Sequence, residues 1–305
     1  LAKAMLAMGQ ANKVVEEFSK TELSGEAAAN LKTLISQAYQ ALGNREAAQQ
    51  ALASALSAKP DYVPALIANA RAKAAQDDVA GAQSIIDGIL SKTPGDPDAL
   101  MIKGALLASK GDQTGAMEQY MKAVQSKPDF IPAHSAIIST LMQKGSLDDA
   151  AKQLEIMKKV APKNLQTLYL EAQIAYQRKD FKSARDLSQQ LLKVAPDNPL
   201  FLQLAGAVEF QLGSYIQAEA FLNKALQQAP ELKLARSLLV TNYLRGGLPA
   251  KALNALQPVL DKIDTDAVFL ALAGEAYLQS GDPKKAEGYF DKANKLDPAN
   301  PSLRT

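Results

Sequence analysis

Apolar residues recur along this chain at helical spacing. In Ala116-Met117-Glu118-Gln119-Tyr120-Met121-Lys122-Ala123-Val124, and again in Ala99-Leu100-Met101-Ile102-Lys103-Gly104-Ala105-Leu106-Leu107, they fall three and four residues apart. Such stretches predict amphipathic helices that each bury one face. Their punctuation is periodic. Pro60, Pro94, Pro128, Pro162, Pro196, Pro230 and Pro298 are separated by 34 residues or a multiple of it, with Asp264 in the one empty slot. Gly9, Gly43, Gly111, Gly145, Gly213, Gly247 and Gly281 keep the same step, with gaps at Asp77 and Lys179. Ala48, Ala82, Ala116, Ala150, Ala184, Ala218, Ala252 and Ala286 form an unbroken third series. At the frequency of alanine in this chain, eight such coincidences have a chance of about one in a million, so the period belongs to the structure and not to the composition.

Each series has a physical task. Glycine ends a first helix where the turn needs positive φ. Asp112, Asp180 and Asp282, one residue later, are placed to cap a second helix. Proline stops the second helix because it cannot continue the hydrogen-bond ladder. Pro64, Pro97, Pro132, Pro199 and Pro301 fall at the start of the next first helix, where a missing N–H costs nothing. The alanines lie where two helices cross, and a methyl lets their axes approach.

A helix-turn-helix unit with these positions resembles the tetratricopeptide repeat (TPR). The repeat at 97 matches the family pattern at Leu100, Gly104, Leu107, Ala116, Tyr120, Ala123 and Pro128, and the one at 267 at Leu270, Gly274, Tyr277, Ala286, Phe290, Ala293 and Pro298. The resemblance implies an all-α fold: a right-handed superhelical solenoid of TPR helix-turn-helix repeats, one solenoid over 1–305. Its eight full repeats would be 29–62, 63–96, 97–130, 131–164, 165–198, 199–232, 233–266 and 267–300, with a partial repeat at 1–28 and the start of a further one at 301–305. Repeat 233–266 departs from the pattern. Asp264 replaces its closing proline, Gly246-Gly247 widens the turn, and Pro258 lies inside the expected second helix, predicting an irregular seam there.

Composition narrows the chemistry. The chain has 34 Lys+Arg against 32 Asp+Glu, no Cys and one His. The near-neutral balance speaks against nucleic-acid binding, which calls for a basic stripe. Thiolate metal sites, Cys nucleophiles and two-His zinc sites are excluded by residue type. No Gly-rich phosphate loop and no Gly-x-Ser-x-Gly elbow appears. His134 stands at the fourth repeat position and reads as a partly buried structural imidazole. Glu16-Glu17, Asp77-Asp78 and Asp148-Asp149 are adjacent in sequence, so they read as caps and solvated surface and not as acid/base pairs. The expectation is a chain that is not an enzyme and needs no cofactor or metal. Its start at Leu1 reads as a fragment of a longer chain, any export signal lying upstream, and no stretch is long enough for a transmembrane segment.

In TPR proteins the first helices line a concave groove, with repeat positions 2, 5, 9, 12 and 13 facing it. Here the resemblance places Gln37, Gln40, Arg71, Met101, Ser135, Ser139, Met142, Gln143, Tyr169, Gln173, Tyr176, Gln177, Gln203, Phe210, Gln211, Arg245, Glu275 and Gln279 at such positions. Amide, hydroxyl and phenol groups suit extended peptides, and aromatic rings supply contact area at low entropic cost. The same aromatic and methionine residues at helical spacing also suit packing between repeats. Some TPR chaperone adaptors hold a carboxylate with Lys at position 5, where this chain has Thr33, Ile67, Met101, Ser135, Tyr169, Gln203, Ser237 and Ala271. A cytoplasmic chaperone adaptor is therefore disfavoured.

Three segments narrow the resemblance. Residues 235–245 (ARSLLVTNYLR), 249–253 (PAKAL) and 272–282 (LAGEAYLQSGD), with Tyr169-Leu170-Glu171-Ala172 and the end Leu303-Arg304-Thr305, are similar to the PEP-CTERM system TPR-repeat lipoprotein family. That resemblance implies a scaffold of exopolysaccharide production and exosortase-linked protein sorting, periplasmic or anchored to the outer membrane of a Gram-negative bacterium. Its partners would be proteins of the cell envelope, with polysaccharide binding as the alternative.

Overall fold

The structure is a computed structural model that describes residues 1–298. Among these the fold is all-α: eighteen α-helices and one 3-10 helix, with no strand. The expected start of a further repeat at 301–305 lies outside the described residues. The chain divides into two compact units, Leu1–Lys144 and Gly145–Thr305. The first holds α1 (Ala2–Ala7), α2 (Ala11–Phe18), α3 (Gly25–Ala41), α4 (Arg45–Ala58), α5 (Val63–Ala74), α6 (Val79–Lys92), α7 (Pro97–Ser109), α8 (Gln113–Ser126) and α9 (Ile131–Gln143). The second holds α10 (Leu147–Val160), α11 (Leu165–Gln177), α12 (Phe181–Val194), α13 (Pro199–Gln211), α14 (Tyr215–Gln228), α15 (Lys233–Arg245), α16 (Pro249–Leu256), the 3-10 helix Gln257–Thr265, α17 (Ala267–Gln279) and α18 (Pro283–Leu296).

The periodic residues do what their chemistry predicts. The seven glycines of the series all have positive φ, and so do the residues in its two gaps, Asp77 at 62° and Lys179 at 63°. The turn thus keeps one backbone path whether or not glycine occupies it. Asp112, Asp180 and Asp282 accept from the N–H groups of Gly115, Ser183 and Lys285, capping α8, α12 and α18. Asp78 does the same for α6 through Gly81. Pro64, Pro97, Pro132 and Pro199 stand in the first two positions of α5, α7, α9 and α13.

Packing within each unit follows from the small positions. Ala48, Ala82 and Ala116 in the first unit and Ala150, Ala184, Ala218, Ala252 and Ala286 in the second are at most 3% exposed. Around them gather larger residues such as Ile86, Ile89, Ile102 and Leu106, or Leu222, Leu239, Leu256 and Leu270. Burying a side chain of this size contributes roughly 1.5–3 kcal/mol, so stability is spread along each stack of pairs rather than held in one centre.

Three segments depart from the regular period, the first being α2, which ends at Phe18 after 8 residues. Helix α3 starts at Gly25, a turn before the register predicts, because no proline stands at Glu26 or Asn30 to stop or start a helix. At the expected seam, α16 ends at Leu256 after 8 residues and the backbone tightens into the 3-10 helix Gln257–Thr265. Every full-length second helix, from α4 to α14 and again α18, has 14 residues. Pro258 is the cause. It has no N–H to give, and in a 3-10 turn the carbonyl left without a donor is that of Ala255. The Arg236 guanidinium supplies one, with Nη1 donating to Ala255 O at 2.7 Å.

Candidate functional site

Every groove candidate sits on a first helix of its pair. In the first unit, Gln37 on α3 and Arg71 on α5 are exposed, while Met101 on α7 and Ser135 and Ser139 on α9 are half-buried. Arg71 pairs with Asp98 at 3.1 Å. It also lines a cleft of about 460 Å³ with Gln40, Gln49 and Gln76. The Ser135 hydroxyl is buried and makes no hydrogen bond.

The second unit brings more candidates together. Tyr169, Gln173 and Tyr176 lie along one half-buried face of α11, with Gln177 exposed beside them. The Tyr169 ring centroid is 5.4 Å from that of Phe201 on α13, and burial pushes the Tyr169 phenol pKa up. Tyr176 meets Phe181 edge-on at 5.6 Å and accepts from Gln211 Nε2 at 3.4 Å, which links α11 to α13. Gln203 is half-buried on α13, and Glu275 on α17 accepts from Gln279 at 2.8 Å. Arg245 lies over the Phe210 ring, 4.5 Å from its centroid.

Two candidates are core residues instead. Phe210 is 4% exposed and Met142 is 8% exposed. Both occupy position 12 of their repeats, near the C-terminal end of a first helix, where neighbouring side chains cover them. Phe210 is held between Arg245 and the edge of Tyr215, 5.9 Å away. His134 is wholly buried, with Nε2 at 2.8 Å from Pro128 O.

Three buried polar groups escaped the reading of positions. Glu209 is 6% exposed and accepts from both Nε (2.8 Å) and Nη2 of Arg185, whose Nη2 also donates to Ser214 Oγ at 3.0 Å. Asn242 is 4% exposed; its Nδ2 donates to Tyr215 O at 3.1 Å, and its Oδ1 makes no hydrogen bond. Arg236 is 6% exposed. For Glu209 and Arg236 the available signal was a charge in a slot that most other repeats fill with apolar residues: Leu107 and Tyr277 where Glu209 stands, against Lys73, and Leu100 and Leu270 where Arg236 stands, against Lys32 and His134.

Among the described residues, no cluster of three or more His, Cys, Asp or Glu is placed to hold a metal ion, and no helix is long and apolar enough to cross a membrane. What the first helices offer is hydrogen-bonding amides, phenols and hydroxyls set between apolar rings.

Comparison with known proteins gives the same class. Family models described as tetratricopeptide repeat match residues 39–106, 169–232 and 238–301, and the model of the second ARM domain of tetratricopeptide repeat protein 21 matches 79–195. A tetratricopeptide repeat protein from Parabacteroides merdae is similar in structure, with 17% identity, 78% of this chain and 94% of that chain covered, and a TM-score of 0.60. Pseudomonas aeruginosa PilF is similar at 16% identity over 68% of this chain and 95% of its own, with a TM-score of 0.57. The human IFIT1 dimer with m7Gppp-AAAA is similar at 15% identity over 100% of this chain and 77% of its own, with a TM-score of 0.72. No curated protein matches the sequence. With its 34-residue period, its paired helices and these matches, the chain is a tetratricopeptide repeat protein.

Proposed function

We propose that the chain is a non-catalytic scaffold that binds a protein partner on the first-helix face of its second unit. One observation carries this reading: Tyr169, Gln173 and Tyr176 form a continuous strip on α11 that the Gln211–Tyr176 contact extends onto α13. Carboxamides donate and accept, so they can follow the alternating N–H and C=O groups of an extended peptide. The tyrosines add contact area with few rotatable bonds. The similarity of residues 235–245 and 272–282 to PEP-CTERM system TPR lipoproteins supports a finer reading. In it the chain is part of an exported scaffold of exopolysaccharide production and protein sorting, facing the periplasm or anchored at the outer membrane, and its partners are envelope proteins.

A photo-crosslinking side chain at Gln177, on the full-length protein in its native cell, tests both levels. Capture of a discrete envelope protein, lost in Tyr169→Ala and Tyr176→Ala variants that keep their helical content, is the expected result. Capture that those substitutions leave unchanged would refute the face, and a cytoplasmic partner would refute the compartment. The phenol–carboxamide pair also suits sugar hydroxyls, which keeps polysaccharide as the second reading. Retention on a glycan array that disappears in Tyr176→Ala selects it.

A further inference from the structure

The seam of the second unit holds a buried charge with no counter-ion among the described residues. Arg236 stands in the register slot filled by Leu66, Leu100, Leu168, Leu202 and Leu270 in five other repeats, with Lys32 and His134 in the remaining two. Its guanidinium is buried, with Nη1 donating to Ala255 O at 2.7 Å and Nη2 to Pro230 O at 2.8 Å. Those two bonds use two of five N–H donors. No carboxylate among the described residues pairs with it, and burial lowers its pKa. Backbone carbonyls hold the group in place but do not neutralise it.

Arg236 borders two clefts. One, of about 390 Å³, has an apolar floor of Val259, Ile263 and Phe269 and an acidic rim of Glu231 and Asp266. That rim repels anions; among the described residues, Asp266 is matched by Lys233 at 3.0 Å and Glu231 by none. The other, of about 520 Å³, opens between α14, α15 and α16 and presents the carboxamides of Asn223, Gln227 and Asn254. In its wall, Lys251 is already balanced by Glu219 at 3.0 Å, and Glu219 also accepts from the Tyr243 hydroxyl at 3.1 Å. The uncompensated charge of this second cleft is therefore that of Arg236.

We propose that the cleft between α14 and α16 docks a glutamate side chain from a peptide segment of a partner. Arg236 supplies the charge, and Asn223 and Asn254 supply carboxamide donors to the carboxylate. Leu226 and Leu239 in the same wall take the glutamate methylenes, which a compact inorganic anion lacks. The site lies beside the second helices, so it is independent of the tyrosine face on α11.

Titration of the full chain with acetyl-Gly-Glu-Gly-amide and its glutamine counterpart, by isothermal calorimetry or amide chemical shifts at low salt, tests the proposal. The glutamine peptide should bind at least tenfold more weakly. Arg236→Leu should abolish that discrimination, and Asn254→Ala, exposed on the cleft wall and clear of the guanidinium's carbonyl bonds, should weaken the glutamate peptide severalfold. If Arg236→Leu loses its helical content, Arg236→Gln, which keeps side-chain donors but not the charge, should likewise abolish the discrimination, and Asn254→Ala carries the test of the cleft wall. Equal binding of the two peptides, no binding of either, or discrimination that survives in Arg236→Leu overturns the proposal. Glucuronate binding as tightly as the glutamate peptide, with the same dependence on Arg236, overturns the peptide assignment in favour of an acidic sugar.

Discussion

Gly104 lies against the ring of Tyr120: a Cβ added to the glycine would stand 2.3 Å from Tyr120 Cε1. The same relation joins Gly206 to Leu222 at 2.6 Å and Gly274 to Phe290 at 2.7 Å. The missing methyl on the first helix makes room for a large side chain on the second. Glycine inside a helix costs about 0.5–1 kcal/mol relative to alanine, and tighter packing of the pair offsets it.

Gly104→Ala should therefore destabilise the protein despite its better helix propensity. Overpacking costs about 1–3 kcal/mol and the propensity gain returns about 1 kcal/mol, leaving a net loss of about 1 kcal/mol in urea denaturation. Gly88→Ala on α6 is the control, since nothing lies within 4 Å of its added Cβ. It should raise stability by about 0.5–1 kcal/mol. Movement of both variants in the same direction would remove packing as the explanation.

Lys179 and Asp77 hold left-handed backbone in slots that carry glycine elsewhere. A side chain there costs about 1–2 kcal/mol, and glycine returns part of this through the greater freedom of its unfolded chain. Lys179→Gly and Asp77→Gly should each stabilise by about 0.5–1 kcal/mol. Thermal melts of the two single variants and the double variant measure this, and the two changes should add, because the sites are far apart in the chain.

Arg185 and Glu209 stitch α12 to α13, and the two sides are unequal: the Arg185 side chain is 36% exposed and that of Glu209 only 8%. Removing the arginine strands a buried carboxylate. Arg185→Met should cost about 2 kcal/mol, below the range for a fully buried pair because water still reaches the guanidinium. Arg185→Met combined with Glu209→Leu should recover most of the loss, and a double-mutant cycle in urea reads the coupling directly. A double variant no more stable than Arg185→Met would contradict the stranded-charge account.

Three caps carry a pH signature. Asp78 is held below its usual pKa by the hydrogen bond from Lys73 and then by the Gly81 N–H; Asp180 by the Ser183 hydroxyl and N–H; Asp282 by the Lys285 side chain and N–H. A folded pKa below the unfolded one means stability that is complete above the unfolded value of 3.8 and is lost as pH falls through the lower folded value. The melting temperature should drop between about pH 5 and pH 2. Asparagine caps without titrating, so the combined Asp78→Asn, Asp180→Asn and Asp282→Asn variant should show a shallower drop over that interval. An identical acid limb would assign the acid sensitivity elsewhere.

The candidate face was legible in part. Its register came directly from the repeat, and Tyr169, Gln173, Tyr176 and Gln211 lie on first helices with accessible surface. Phe210 and Met142 were not separable from them by spacing, because exposure at position 12 depends on what the paired helix and the next repeat place against it: Tyr215 and Arg245 in the case of Phe210. Arg236 carried a readable signal, a charge in an apolar slot. Its two carbonyl partners were not readable, since the opening at Ala255 arises only when Pro258 turns α16 into a 3-10 helix.

By itself the sequence determined the pairing of helices, the turns between them, the caps at Asp112, Asp180 and Asp282 and the break at Pro258, because each is set by local backbone chemistry: φ at a turn, a carboxylate at a helix start, an absent N–H. Only the tertiary structure decided which side chains are covered and which charges are left without a counter-ion. Burial and ion pairing are sums over residues distant in the chain, so a repeat register can place a side chain on a face without saying what lies opposite it.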